Sequence, residues 1–345
     1  MRTAAIGVWL AVLLVGAAQA AGTKTVKDWT AVCDNLGACA AYGFSAEGQD
    51  TDSYLKITRE AGGAAAPTVL VVYDAASTQP AAAWTLEVDG RPIAGLASVR
   101  SAGGEAGARA TLIGAAAASL IAALKEGQAL DISQGGKALD SISLAGSAAI
   151  LVWVDDQQGR VGTVTALARP GPKPASAAPP PAAPPVIAVA APVAQAGLPE
   201  KAPRALVKGV ADCDPHRKPE DSDDVVARLA PGLVLWGPQC SMGAYNEVNV
   251  FFLGDEKARA VRRVIFPEAP GAGQASDDEL INVDFDAKTQ TLTSFSKARG
   301  LGDCGQQTDW VWTGKAFVLL AETVMPECRG VPLDDWAPLY VARRR

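Results

Sequence analysis

Six cysteines, a single histidine and two acidic runs are the chemically capable groups of this 345-residue chain. The cysteines are Cys33, Cys39, Cys213, Cys240, Cys304 and Cys328. An even count behind an export leader points to oxidative folding, which commits thiols to disulfides. Two cysteines fall early and four late, so Cys33 pairs with Cys39 if each half folds as a unit. The remaining four admit three pairings; the favoured one is sequential, Cys213–Cys240 with Cys304–Cys328, joining neighbouring strands. Zinc requires thiolates clustered at metal spacing, and these are scattered, so no metal is expected.

With sulfur committed, the other options narrow. His216 follows Cys213-Asp214-Pro215 in a turn, and no serine sits in a nucleophile-elbow pattern. It reads as an exposed turn residue. Asp221, Asp223 and Asp224, then Asp277, Asp278 and Glu279, lack the spacing of a calcium loop. Each run precedes an apolar pair, Val225-Val226 or Leu280-Ile281, which suits N-capping or a solvated loop. Gly300, Gly302 and Gly305 match the spacing of a dinucleotide-binding turn, which needs a helix starting at its third glycine. The residues that follow, Gln306 to Trp312, read as a strand, and Cys304 lies inside the motif. A disulfide-stapled loop is the better account, and no cofactor is expected. Arg299 and Asp303 flank that loop and, with Tyr245 and Asn246 just after Cys240, make the candidate binding loop. Trp236, Trp310, Trp312 and Trp336 are read as core before interface anchors.

The frame that must position these groups is legible in composition. Arg2, the apolar stretch Ala4 to Val15 and the triplet Ala18-Gln19-Ala20 make a cleavable leader over residues 1–20. Its apolar core of roughly a dozen residues is too short to span a bilayer. The expected location is the periplasm, or beyond it by secretion. Net charge is −6, and −7 once Arg2 is removed (30 basic residues against 37 acidic), a poor match to nucleic acid and, for the same reason, to anionic lipid. The run Arg343-Arg344-Arg345 is the local exception and is read as a solvated tail.

From Arg169 to Pro203 proline and alanine dominate, and proline removes amide donors, so a semi-extended linker is expected over 169–203. It separates an N-terminal domain, 21–168, from a C-terminal one, 204–345. Within it Val186 to Val189 is apolar enough to dock as an edge strand. The first domain shows strands at Trp29 to Cys33, Tyr54 to Thr58, Val69 to Tyr73 and Trp84 to Val88. A helix is expected at Ala115 to Lys125, capped by Gly127; about Ala148 to Gln158 reads either as a second helix, with Ser147 as N-cap and Gly159 as stop, or, from its β-branched content, as a strand. In the second domain Ile281, Val283 and Phe285 alternate with polar residues, the mark of a half-buried strand returning at Leu292 to Ser296. Further strands are expected at Val248 to Leu253, Val261 to Phe266, Trp310 to Trp312 and Phe317 to Leu320. The fold class is mainly β: two domains of antiparallel sheet, the first sandwich-like with one or two short helices, the second a meander.

Lys27-Asp28-Trp29, Cys33-Asp34-Asn35 and Cys39, then Arg299 to Gly305, Trp310-Val311-Trp312 and Cys328-Arg329-Gly330 resemble an uncharacterised exported bacterial family with six cysteines, a domain of unknown function. The opening tryptophan and cysteine pair, with Leu120 to Gly127, also make the first half similar to the invasion-associated locus B proteins, envelope proteins with a β-sandwich. These resemblances imply fold and compartment and carry no reaction. The expected function is non-enzymatic binding of an envelope protein or glycan, with no nucleic acid and no membrane span. The alternative is a carboxylate-dependent hydrolase of cell-wall glycan or another periplasmic polymer, which demands two carboxylates about 5–10 Å apart in a cleft.

Overall fold

Every residue of the strand Trp29–Cys33 is buried, and so is every residue of its partner Cys39–Phe44. A strand buried on both faces belongs to a sheet covered on both sides. The computed structural model describes residues 21–46, 52–211, 213, 214, 216, 218, 222–270 and 276–345. The leader and Asp221 lie outside them.

The covered sheet has six antiparallel strands in the order Gly22–Val26, Trp29–Cys33, Cys39–Phe44, Tyr54–Arg59, Thr68–Tyr73 and Ala108–Leu112. One face carries Trp29, Ala31, Leu55, Ile57, Val69 and Val71 into a core shared with a second sheet and both helices. That second sheet is built from Ala83–Val88, Ala129–Gln134 and Lys137–Ser143, with Arg91–Pro92 and Val99–Arg100 at its edge. The other face carries Val32, Ala40, Tyr42, Phe44, Tyr54 and Val72 into a core completed by Phe266, Leu292, Trp310, Trp312, Trp336 and Leu339. The two halves of the chain therefore share one apolar core, across the central sheet.

The later half is also mainly antiparallel. Its largest sheet has the order Val283–Asp286, Thr291–Lys297, Gly305–Trp312, Phe317–Met325 and Ala337–Val341. Beside it lie a four-stranded sheet begun by Val225–Ala230 and a three-stranded one begun by Gln239–Met242. All four tryptophans noted above are buried, between 1% and 4% exposed.

Several local expectations change. The helices run Gly114–Leu124 and Ser147–Gln157. Gly127 does not cap the first; a Cβ there would lie 2.1 Å from Val88, so glycine serves close packing. Ser147 does not cap the second either, because its hydroxyl donates to Leu124 O at 2.7 Å and Gly146 holds the N-cap position. The expected strand Val248 to Leu253 is divided between two sheets, as Glu247–Val250 and Phe252–Gly254. Val261 to Phe266 contributes only Arg262–Arg263 and the start of Phe266–Pro267.

The Pro/Ala-rich stretch lies on the protein surface. Pro179 and Pro181 rest on Gly159 and Gly62. Val186–Ile187 then pairs in parallel with Arg343–Arg344, so those arginines form a strand and not a solvated tail. Ile187 is buried over Val311 and Leu320 on the outer face of the five-stranded sheet. Ala190 N donates to Trp312 O at 2.8 Å, and the chain reaches the four-stranded sheet where Gln195 bonds the backbone of Arg228.

Gly43 is the tightest point of the central sheet. It faces Trp29 in register, and a Cβ there would sit 2.4 Å from the indole. Gly43→Ala is expected to cost about 1–3 kcal/mol, because overpacking displaces the ring. Urea denaturation would show it, with a changed near-ultraviolet tryptophan signal in the folded state.

Candidate functional site

The loop after Thr291–Lys297 is held in shape by two glycines and two covalent or ionic ties. Gly302 has φ +68°, and Gly305, at φ +131°, would place a Cβ 2.0 Å from Ser296 O. Gly305 opens the strand Gly305–Trp312, so no helix begins at the third glycine and a pyrophosphate has no amide cradle. Cys304 is bonded to Cys328; the other disulfides are Cys33–Cys39 and Cys213–Cys240. Arg299 Nε donates to Asp303 Oδ1 at 2.7 Å, and Gly330 N donates to Asp303 Oδ2 at 2.7 Å. Burial alone would push the Asp303 carboxyl up, but the guanidinium and the Gly330 amide reverse this and hold it low.

Tyr245 and Asn246 arrive at this loop from the turn after Gln239–Met242. The Tyr245 ring lies over Gly300, and its hydroxyl donates to Ala298 O at 3.2 Å. Asn246 Nδ2 donates to Lys297 O at 2.9 Å, and its Oδ1 accepts from Asn282 at 2.8 Å. The four residues singled out in the sequence thus lie along one edge. Two apolar side chains join them there: Leu301, 77% exposed, and Met242, 55% exposed, beside Tyr245 at 41%. Leu301 escaped sequence reading, though a leucine between two glycines in a stapled turn has no core within reach.

Two deeper polar clusters also escaped it. Asp335 sits between the halves: its carboxylate accepts from Tyr54 and pairs with Arg109, and its backbone oxygen accepts from Tyr42 and Lys56 at 2.7 and 2.8 Å. Burial and the adjacent Asp335 raise both tyrosine pKa values, while burial lowers that of Lys56. In the first half Arg59 and Asp155 pair at 2.8 Å, each side chain 1% exposed. Asp155 also accepts the Leu167 and Ala168 amides, both at 2.8 Å. Gln158 bonds Arg59 at 2.7 Å, and the fully buried Arg160 donates to carbonyls of Glu60, Gly62, Gly63 and Ala65.

His216 is exposed in a turn. Asp224 accepts the Gln239 and Ala202 amides at 2.8 and 2.9 Å, tying loops and capping no helix. Asp278 pairs with Arg263 at 3.2 Å. Glu322, 1% exposed, forms no ion pair among the described residues: Oε2 accepts Ala269 N at 3.1 Å and Oε1 has no hydrogen-bond partner. Burial raises its pKa. Among the described residues no three metal-ligating side chains cluster, and no helix is long and apolar enough to cross a membrane.

A mainly β chain with three disulfides, a six-stranded sheet covered on both faces and a Gly-rich stapled loop defines the class. The chain belongs to the family described as "Protein of unknown function (DUF1176)", whose profile matches residues 23–343, both halves and the proline-rich stretch included. It is similar to the "Uncharacterized protein YpfG" of Escherichia coli (strain K12), 28% identical over 355 residues that cover 96% of this chain and 95% of the relative. No solved structure matches.

Proposed function

We propose that this is a non-enzymatic binding protein of the bacterial periplasm, exported by its leader, with the Tyr245–Asn246 and Arg299–Asp303 edge as the contact surface. The observation that carries the reading is the grouping of exposed Leu301, Tyr245 and Met242 on a frame fixed by a disulfide and an ion pair. Aromatic and large apolar anchors on a rigid support lose little entropy when a partner covers them. The likeness of the first half to the invasion-associated locus B proteins is a further reason to place the partner, a protein or glycan, in the envelope.

A photo-crosslinking residue at Leu301, expressed in cells, tests this against the same residue at Ile113, which is 69% exposed far along the chain. A discrete adduct at Leu301 alone is expected, weakened about tenfold by Tyr245→Ala while stability changes by less than about 0.5 kcal/mol. Equal labelling at both positions would end the binding reading. The hydrolase reading is favoured by the buried Glu322 carboxyl, whose Oε1 has no hydrogen-bond partner and which burial keeps toward its protonated form, as a general acid requires. Release of soluble fragments from cell-wall glycan by the purified protein, abolished by Glu322→Gln, would establish it instead.

A further inference from the structure

Both hairpin turns of the five-stranded sheet that follow Val283–Asp286 and Gly305–Trp312 lie at one end of it, tied by Trp312 N to Gln290 O at 2.9 Å. Lys288 and Lys315 are exposed in those turns. Arg343, Arg344 and Arg345 are brought to the same end and fixed there. Arg343 N donates to Pro185 O at 2.8 Å, Arg345 N to Ile187 O at 2.9 Å, and Arg344 Nη2 to Thr291 Oγ1 at 2.7 Å. Among the described residues none of the five cations makes an ion pair. The Pro/Ala-rich stretch, a strap beside them, adds no opposing charge, because no acid occurs between Asp156 and Glu200. The nearby Asp286 is turned into its own loop, accepting from Lys288 N and Thr289 Oγ1 at 2.8 and 2.7 Å.

We propose that this end of the sheet is a contact surface for the phosphate groups of an anionic lipid layer, separate from the Tyr245 edge. Three observations select a lipid layer. The cations come from three chain segments, two turns and the terminal strand, so they form a spread of charge across one end of the sheet. Val186 is 63% exposed and stands directly opposite Arg343 in the strap, flanked by exposed Pro185 and Ala188. Cations beside exposed apolar side chains suit the headgroup boundary, where each basic residue adds attraction to anionic lipid. The body of the molecule carries the excess of acid, 37 acidic residues against 30 basic without the leader, so this uneven distribution turns the basic end toward an anionic surface and the rest away.

The test is co-sedimentation of residues 21–345 with vesicles of phosphatidylcholine, with and without phosphatidylglycerol. Binding is expected only with the anionic lipid, weakening as salt rises. Replacing Lys315, Arg343 and Arg345 by serine should weaken it about a hundredfold, and Arg343→Lys with Arg345→Lys should keep it. Arg91→Ser, Arg100→Ser and Lys137→Ser, which remove three exposed cations of the first half, should leave it unchanged. Equal binding to neutral vesicles, equal loss with the first-half set, or displacement by millimolar inorganic phosphate would each overturn the proposal, the last by revealing a single-phosphate site.

Discussion

Asp155→Ala is expected to destabilise the protein by about 3–5 kcal/mol, because it strands the Arg59 guanidinium in the core. Both side chains are 1% exposed, so no solvent replaces the lost carboxylate. Burial already lowers the Arg59 pKa, and the hydrogen bond to Asp155 is the main force opposing that. The carboxylate further organises the chain locally, because it takes the part-buried Ala168 amide and the Leu167 amide, which would otherwise be buried unpaired. Arg299 and Asp303 form the control: at 40% exposure of Arg299, water screens the pair, and Arg299→Ala should cost under about 1 kcal/mol. Urea denaturation of the two variants reads the difference. A loss below about 1 kcal/mol for Asp155→Ala would show that the pair is not a hub. Asp155→Leu combined with Arg59→Met should recover much of the stability, since the cost lies in the unpaired charge.

The sequence made this cluster hard to see for a physical reason. Ala148 to Val154 running into Asp155-Asp156 looks like an apolar segment ending in solvent, and nothing local says that Asp155 turns inward. Its cation lies 96 residues earlier, and Asp335 meets Tyr54 and Arg109 across 281 and 226 residues. Patterns with a short period travel better. The alternation Ile281, Val283, Phe285 gives a strand, yet Asn282 adopts φ +46° and donates to Asn246 and to Phe295 O, both at 2.8 Å. That side chain splits the run between two sheets, which periodicity cannot register. Trp29 to Cys33 shows the same limit from the other direction. Its apolar run is enough to name a strand, but one of the faces it buries meets residues from the far half of the chain. The binding edge was partly accessible because glycine, cysteine and charge mark the loop; the leucine at its tip carries no such mark.

The Cys304–Cys328 bond offers the second large effect, and it reaches across the halves. Replacing both cysteines by serine opens a loop whose closure is worth about 3.5 kcal/mol on the chain-entropy scale, against about 2.4 for Cys33 and Cys39. The residues after Cys328 do more than close a loop. Gly330 N holds Asp303, Arg329 donates to Ser45 O in the first half, and its guanidinium lies 5.4 Å from the Phe44 ring. Gly330, at φ +75°, lies close against Asp52, where a Cβ would come within 2.3 Å of the aspartate Cβ. Freed of the disulfide, this turn loses its anchor to the Arg299–Gly305 loop and its hold on the strand end at Phe44. The double serine variant should therefore lose about 3.5 kcal/mol in urea and exchange amide hydrogens faster at Phe44 and Ser45, not only around Cys304. The Cys33 and Cys39 double variant should lose less, because that hairpin keeps its full ladder from Trp29 opposite Gly43 to position 33 opposite 39. Unchanged exchange at Phe44, or a larger loss at the short loop, would show that the turn after Cys328 plays no part in docking the second half on the first.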